Sequence, residues 1–355
     1  MLDHRDVRNG LLLILLFLLP TLGAGCAGCE QCALGVLSGP INDPSNRALR
    51  RDILSKGLDK FCQEMVKHNA PLQLQQGTPA IGRYFPRQCV QQTLQNGDLF
   101  VQFSGVGYAW TNVSKKVTFT MDGTVTYDTD FLMDGCTAYA YFKTHEVRGA
   151  NFVSRVIEQP IANFVNQLTP MGNQFASQLV NAQLQQGFTV IMDSNQQADF
   201  GLGMIEKGKR PEHPIDVHGN NRITYENTRT DVHVGQRDFV GPIRIEDTGR
   251  AIYVQATLDG TPAVDVLFMN EQEANFMLDQ YLQVATVTAL PAPNQLGGDV
   301  IQYGVPYNNK RAVNPGTYYV VFDNSPVAGM VAPPINPLSD PAATISYAVQ
   351  IGDAN

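Results

Sequence analysis

Three groups of side chains in this sequence have types and spacings that could do chemistry. Cys26, Cys29 and Cys32 recur at every third position. Thiolates so spaced suit zinc or an iron–sulfur cluster, but such sites take about four ligands. No fourth cysteine lies near the trio. His213, His218 and His233 fall close together, with Glu212, Asp216 and Asp231 among them. Imidazole and carboxylate together ligate zinc and other transition ions. Most of that cluster sits in a stretch that reads as a solvated linker, where polar residues collect without a metal. Asp323 and Asn324 follow an apolar run, and Asp247, Asp259 and Asp265 mark nearby turns. Such oxygens hold calcium at a sheet edge, and more commonly cap turns.

Hydrolase and nucleotide motifs are absent or incomplete. No G-x-S-x-G and no H-E-x-x-H occurs. Asp199-Phe200-Gly201 spells the kinase metal-binding triplet without a Gly-rich loop, a strand lysine or an H-R-D to serve it. Gly105-Val106-Gly107 and Gly201-Leu202-Gly203 lack the rest of a dinucleotide fingerprint and read as turns or bulges. Tyr108 with Trp110, and Tyr139 with Tyr141, could form an aromatic surface for an apolar ligand, with core packing the more ordinary use. The expectation is a protein that is not an enzyme and needs no cofactor.

Composition narrows the class. Of 355 residues, 43% are hydrophobic and only 16% charged, which is not the signature of a disordered chain. The net charge of −8 excludes the basic footprint of a nucleic-acid-binding protein.

The N-terminus carries an address. Arg5 and Arg8 precede an apolar run, Leu11–Leu19, and then Pro20 and the small residues Gly23, Ala24 and Gly25. That run is too short to cross a bilayer, which takes about 20 residues, and reads as a secretory signal peptide over 1–25. Leu22-Gly23-Ala24-Gly25-Cys26 resembles a bacterial lipobox. The resemblance implies lipidation of Cys26, with Cys29 the second choice, and a mature protein held at the outer membrane facing the periplasm. Export implies an oxidising compartment. Lipidation of Cys26 would leave five thiols, an odd number, and Cys62–Cys89 is the favoured pair.

A tether over 26–45 leads to a helix with Leu49, Ile53, Leu54, Leu58, Phe61 and Met65 on one face, ending before Pro71. Its basic residues could rest on anionic headgroups, or simply face water. Residues 98–147 read as a β-meander, with hairpin turns at Asp122-Gly123 and Asp134-Gly135. The period then changes. Val153, Ile157, Ile161, Phe164, Leu168, Met171, Phe175, Leu179 and Ala182 step by three or four, predicting a long helix over 153–186. No charge occurs between Glu158 and Asp193, so its polar face is suited to lie against another surface. Phe188–Met192 reads as the next strand. Helix, meander and long helix resemble in outline the tubular lipid-binding folds and small periplasmic lipoprotein domains.

A linker over 206–224 separates this part from short β runs at 243–245, 252–256, 264–268, 300–303, 316–322 and 344–351. Asn270-x-x-Glu273 is a capping box opening a helix over 271–282. So many short strands predict a β-sandwich. Pro315–Ser325 followed by Ile345–Val349 resembles the closing strands of GOLD-type and bacterial pre-peptidase C-terminal sandwiches, modules that mostly mediate protein interaction.

The sequence therefore predicts an α+β fold: an N-terminal antiparallel sheet with a long helix over 46–205, then a C-terminal β-sandwich over 225–355. The expected role is a cell-envelope lipoprotein that binds or scaffolds through protein interaction. Its expected partners are the membrane, through its lipid anchor, and envelope proteins. The alternative is a lipoprotein that binds lipid or another hydrophobic ligand.

Overall fold

A computed structural model of the chain describes residues 38–46, 48–50, 61–75, 77–110, 116–157, 184–192, 198–211, 214–215, 217, 222–284, 296–333 and 341–354. Over these the protein is mostly β, in large sheets. The strands, in chain order, are β1 (Ala70–Gln73), β2 (Ala80–Thr93), β3 (Leu99–Ala109), β4 (Val117–Asp134), β5 (Thr137–Ile157), β6 (Phe188–Met192) and β7 (Ala198–Leu202). They continue as β8 (Ile223–Val232), β9 (Gln236–Ile245), β10 (Arg250–Asp259), β11 (Ala263–Asn270), β12 (Gly298–Gln302), β13 (Tyr307–Val313), β14 (Gly316–Asn324) and β15 (Ala343–Asp353). The helices are α1 (Ser38–Asn42), α2 (Phe61–Met65) and α3 (Glu271–Gln283).

Contacts group the chain into two compact units: residues 1–57, 129–142 and 188–211, and residues 58–128, 143–187 and 212–355. Strands β4 and β5 contribute residues to both.

In the larger unit, β13-β10-β15-β8 run side by side, and β12-β11-β14-β9 form a second sheet. Successive strands mostly cross from one sheet to the other, the interleaved order of a jelly roll. Alternation explains why the two sheets meet. Ile252, Val254, Ala256 and Leu258 share one face of β10, and Ile345, Tyr347 and Val349 one face of β15. They join Val266, Phe268, Val320 and Phe322 of the second sheet in one core. Asp259-Gly260 turns between β10 and β11 with Gly260 at φ +85°, and the predicted strands and helix of this region all form.

Strand β2 joins β8 by a parallel bridge at Ala80 and Thr230, and β3 and β4 follow antiparallel. Phe85, Tyr108 and Trp110 from β2, β3 and the residue after it belong to the same core as β8–β15. Strands on both sides of the expected 206–224 linker thus share one interior.

Two sequence expectations need correction. Asp122-Gly123 is not a turn: both residues lie inside β4, opposite Ser104 and Phe103. Burial alternates without a break through Met121, Gly123, Val125 and Tyr127, so the register of the sheet overrides the local turn preference. The long helix over 153–186 does not begin where its periodicity predicts. Residues 151–157 continue β5 as strand, and a short helical stretch at 184–186 precedes Gly187. An apolar residue at every fourth position also satisfies period two, so Val153 and Ile157 fit either structure. Residues 158–183 of that prediction lie outside the described residues. The α+β description therefore does not hold for the described chain, in which α3 is the one helix of more than five residues.

In the smaller unit, residues 138–142 of β5 pair antiparallel with β6, and β6 with β7. Tyr139, Ile191 and Ile205 form its small core, with Phe142 stacked on Phe188 at 4.2 Å between ring centres. Asp134-Gly135 makes the predicted hairpin turn, with Gly135 at φ +57°. The Asn42 amide accepts from Met133 N at 2.7 Å and donates to its carbonyl at 2.5 Å, extending the strand as a backbone unit would.

Candidate functional site

The interior of the larger unit holds charge. Arg83 on β2 is fully buried. Its Nε donates to Asp238 Oδ1 at 2.6 Å and its Nη2 to Asp238 Oδ2 at 2.9 Å. The same guanidinium reaches both oxygens of Glu226 at 2.9 Å and Asn69 Oδ1 at 2.7 Å. Tyr347 donates to Glu226, and Tyr108 to Asp238 at 2.8 Å. Burial alone would push the Arg83 pKa down, but the Asp238 and Glu226 carboxylates outweigh it and raise it. Burial, reinforced by Asp238, raises the Tyr108 pKa well above its ordinary value and keeps that hydroxyl a donor. Every polar group here is spoken for, which is what a dry interior requires.

A second network ties α3 to the sheets. Lys116, also fully buried, donates to the carbonyls of Tyr281 at 3.0 Å and Val284 at 2.9 Å and sits 3.9 Å from the centre of the Tyr281 ring. A cation there satisfies end carbonyls and complements the negative end of the helix. Trp110 Nε1 donates to Gln236 at 3.1 Å, and Tyr281 OH donates to the same oxygen at 2.6 Å.

Of the groups weighed for calcium, Asp323, Asp265 and Asp247 are already engaged, whereas the buried Oδ1 of Asn324 has no hydrogen-bond partner among the described residues. Asp323 is fully buried and pairs with Arg237, and it accepts from Ser325 N at 2.8 Å. Asp265, opposite Asp323 in the β11–β14 register, accepts from Met330 N and Val331 N at 2.9 Å each. Burial raises both carboxyl pKa values; Arg237 opposes it at Asp323, and the two backbone N–H groups oppose it at Asp265. Asp247 lies 3.6 Å from Arg250. These aspartates cap and pair, as turn aspartates usually do.

The outer face of β2–β4 is different. Asp122, Thr124, Thr126 and Asp128 occupy alternate, less buried positions of β4. The register sets Asp122 beside Ser104 and Gln88, Thr124 beside Gln102 and Val90, and Thr126 beside Phe100 and Gln92. A groove of about 440 Å³ crosses these rows, lined by Gln88, Gln102, Ser104, Asp122, Thr124 and Arg148 among others. Ser104 Oγ meets the Gln88 amide oxygen at 3.4 Å, and Thr124 donates to the Arg148 carbonyl at 3.0 Å. An amide is no general base, so this hydroxyl is set up for hydrogen bonding rather than nucleophilic attack.

Further along the same face three segments converge. Asp98 ends the β2–β3 loop, Asp128 lies on β4 and His145 on β5. One ligand atom of each lies within 4.8 Å of the others. His145 Nδ1 is 3.2 Å from Asp128 Oδ1, and both side chains are half-exposed. Asn96 steadies Asp98, donating from Nδ2 at 2.7 Å and accepting from Asp98 N.

Several predicted site residues lie elsewhere. Tyr108 and Trp110 are core, not a surface. Tyr139 and Tyr141 do stack on one face, 6.2 Å between ring centres, inside the smaller unit's core region. Asp199 pairs with Arg210. Gly105 lies within β3, where a Cβ would come 2.3 Å from the Phe85 carbonyl, so close backbone approach accounts for it. Cys62 and Cys89 form the expected disulfide, and Cys136 is disulfide-bonded as well. Cys26, Cys29, Cys32, His213 and His218 fall outside the described residues; His233 is described, in the turn between β8 and β9. Sequence spacing gave no hint of Asp98, Asp128 and His145, because only the meander's register brings them together.

No family profile and no curated protein sequence matches the chain. Among solved structures, it is similar to a glycoside hydrolase family 43 arabinoxylan arabinofuranohydrolase from Bacillus subtilis, with 9% identity over 76% of this chain and 67% of that one, at a TM-score of 0.22. It is also similar to a structure of infectious bursal disease virus, Gx strain, with 8% identity over 80% and 75% of the two chains, at a TM-score of 0.21. Likenesses at such scores carry no argument about fold or activity.

Proposed function

We propose that this chain is an exported, lipid-anchored cell-envelope protein that works by binding, as a rigid scaffold for protein interaction. The observation that carries this reading is the filled interior. The space between the two sheets of the larger unit is occupied by Phe239, Phe268, Phe322 and Tyr347 and by Arg83 with Asp238 and Tyr108, all buried. A carrier of lipid needs an apolar chamber, typically of some 300–1,000 Å³. The groove on β2–β4 has the volume, but it is an open surface groove of mixed lining, with Gln88, Gln102, Asp122 and Arg148 beside Val90 and Phe103. Recognition is therefore assigned to outer surfaces. The Cys62–Cys89 disulfide suits the oxidising compartment that the lipobox-like Cys26 implies.

The test is expression of the full chain and its Cys26→Ala variant in a Gram-negative host with an alkyne-bearing fatty acid. The wild type should take up label and fractionate with the outer membrane, and Cys26→Ala should do neither. The released variant should give a native mass spectrum of the protein alone. Label retained by Cys26→Ala but lost in Cys29→Ala would move the anchor to Cys29, and a wild type without label would overturn it. A stoichiometric lipid released from the protein on activation would overturn the scaffold reading in favour of the hydrophobic-ligand alternative.

A further inference from the structure

We propose that Asp98, Asp128 and His145 form a binding site for one divalent transition-metal ion of the zinc class. Three observations carry it. The donor set mixes one imidazole nitrogen with two carboxylate oxygens, the combination that borderline ions such as Zn²⁺ prefer and an ordinary acidic patch lacks. The spacing fits: zinc–ligand bonds of about 2.0–2.1 Å in a tetrahedron set neighbouring ligand atoms roughly 3.3 Å apart. His145 Nδ1 and Asp128 Oδ1 already stand at 3.2 Å, and the widest separation in the trio is within 4.8 Å. The two edges to Asp98 are each within 4.8 Å, so a side-chain shift of about 1.5 Å or less brings Asp98 into range. The charge is also unbalanced. Among the described residues no lysine or arginine pairs with Asp98 or Asp128. Two carboxylates held this near one another repel by about 1 kcal/mol in water, and a dication reverses the sign.

The framework is built to hold the trio. Asp98 and Asn96 lie in a tight loop, where Leu94 N donates to the Asp98 carbonyl at 2.8 Å and Gly97 adopts φ +96°. Asp128 and His145 come from the two long strands of the meander, so the three ligands are positioned by hairpin geometry and not by flexible tails. Three protein ligands leave a coordination position open to water on the solvent side, on the face that carries the groove.

The experiment is titration of the metal-free full chain with ZnCl2 by calorimetry, and with CoCl2 by visible absorption, because tetrahedral cobalt(II) reports its own geometry. Wild type should bind one equivalent and develop the cobalt band. Asp98→Asn, Asp128→Asn and His145→Ala should each weaken binding by about tenfold or more, with unchanged far-ultraviolet circular dichroism. His213→Ala/His218→Ala should bind as wild type does. Wild-type stoichiometry and affinity in His145→Ala, or loss of binding in His213→Ala/His218→Ala instead, would overturn the site. Neither result depends on lipidation or on the scaffold role.

Discussion

Two charged clusters in the larger unit contrast sharply. Around Arg83, one guanidinium, two carboxylates, two tyrosines and an asparagine close on one another with no exposed atom on the arginine. Around Asp128, two carboxylates and an imidazole meet half in water, with no strong cation among the described residues to balance them. The first arrangement is self-sufficient and holds elements together: β2 through Arg83, β8 through Glu226, β9 through Asp238 and β15 through Tyr347. The buried cluster is structural, and the surface cluster is where we propose a metal site.

The sharpest way to break this comparison is Arg83→Met. It removes the one cation that, among the described residues, serves both Asp238 and Glu226, and should cost about 3–5 kcal/mol in chemical denaturation. Lys116→Met strands two carbonyls at the end of α3 and should cost about 1–3 kcal/mol by the same assay. Asn270→Ala breaks the reciprocal capping box of α3, whose Asn270 Oδ1 accepts from Glu273 N at 2.9 Å, and should cost about 1 kcal/mol.

The smallest effect is one of pH. Burial raises the Asp265 pKa in the folded protein. The folded state therefore holds that proton more tightly than the unfolded state. The associated stability is full below the unfolded carboxyl pKa and is lost as pH rises through the raised value. Asp265→Asn should lower Tm overall, because an amide cannot accept from both Met330 N and Val331 N. It should also flatten the Tm profile across the acidic range. A variant profile parallel to that of the wild type would show that Asp265 does not titrate differently on folding.

What could be read from the sequence was local. The capping box at Asn270 and Glu273, the Asp259-Gly260 and Asp134-Gly135 turns and the short apolar runs of β10, β11 and β14 each state their structure within a few residues. The misreadings came where local preference met register: Asp122-Gly123 reads as a turn and is strand. Strands β8 and β13 escaped because Thr228, Arg229, Asn308 and Lys310 give them little apolar signal. The Arg83 network was invisible for another reason. Its partners lie 143, 155 and 264 positions along the chain, and a lone arginine in a strand reads as solvent-facing. Asp98, Asp128 and His145 likewise have no common motif, and only folding makes them neighbours.

The most direct measurement is urea denaturation, in metal-free buffer, of wild type, Arg83→Met and the double variant Asp98→Asn/Asp128→Asn side by side. Loss of about 3–5 kcal/mol in Arg83→Met, with the double variant as stable as wild type or slightly more so, is the predicted result. Equal destabilisation of the two variants would contradict the account, because the surface cluster would then be part of the structure and not a site left open by it.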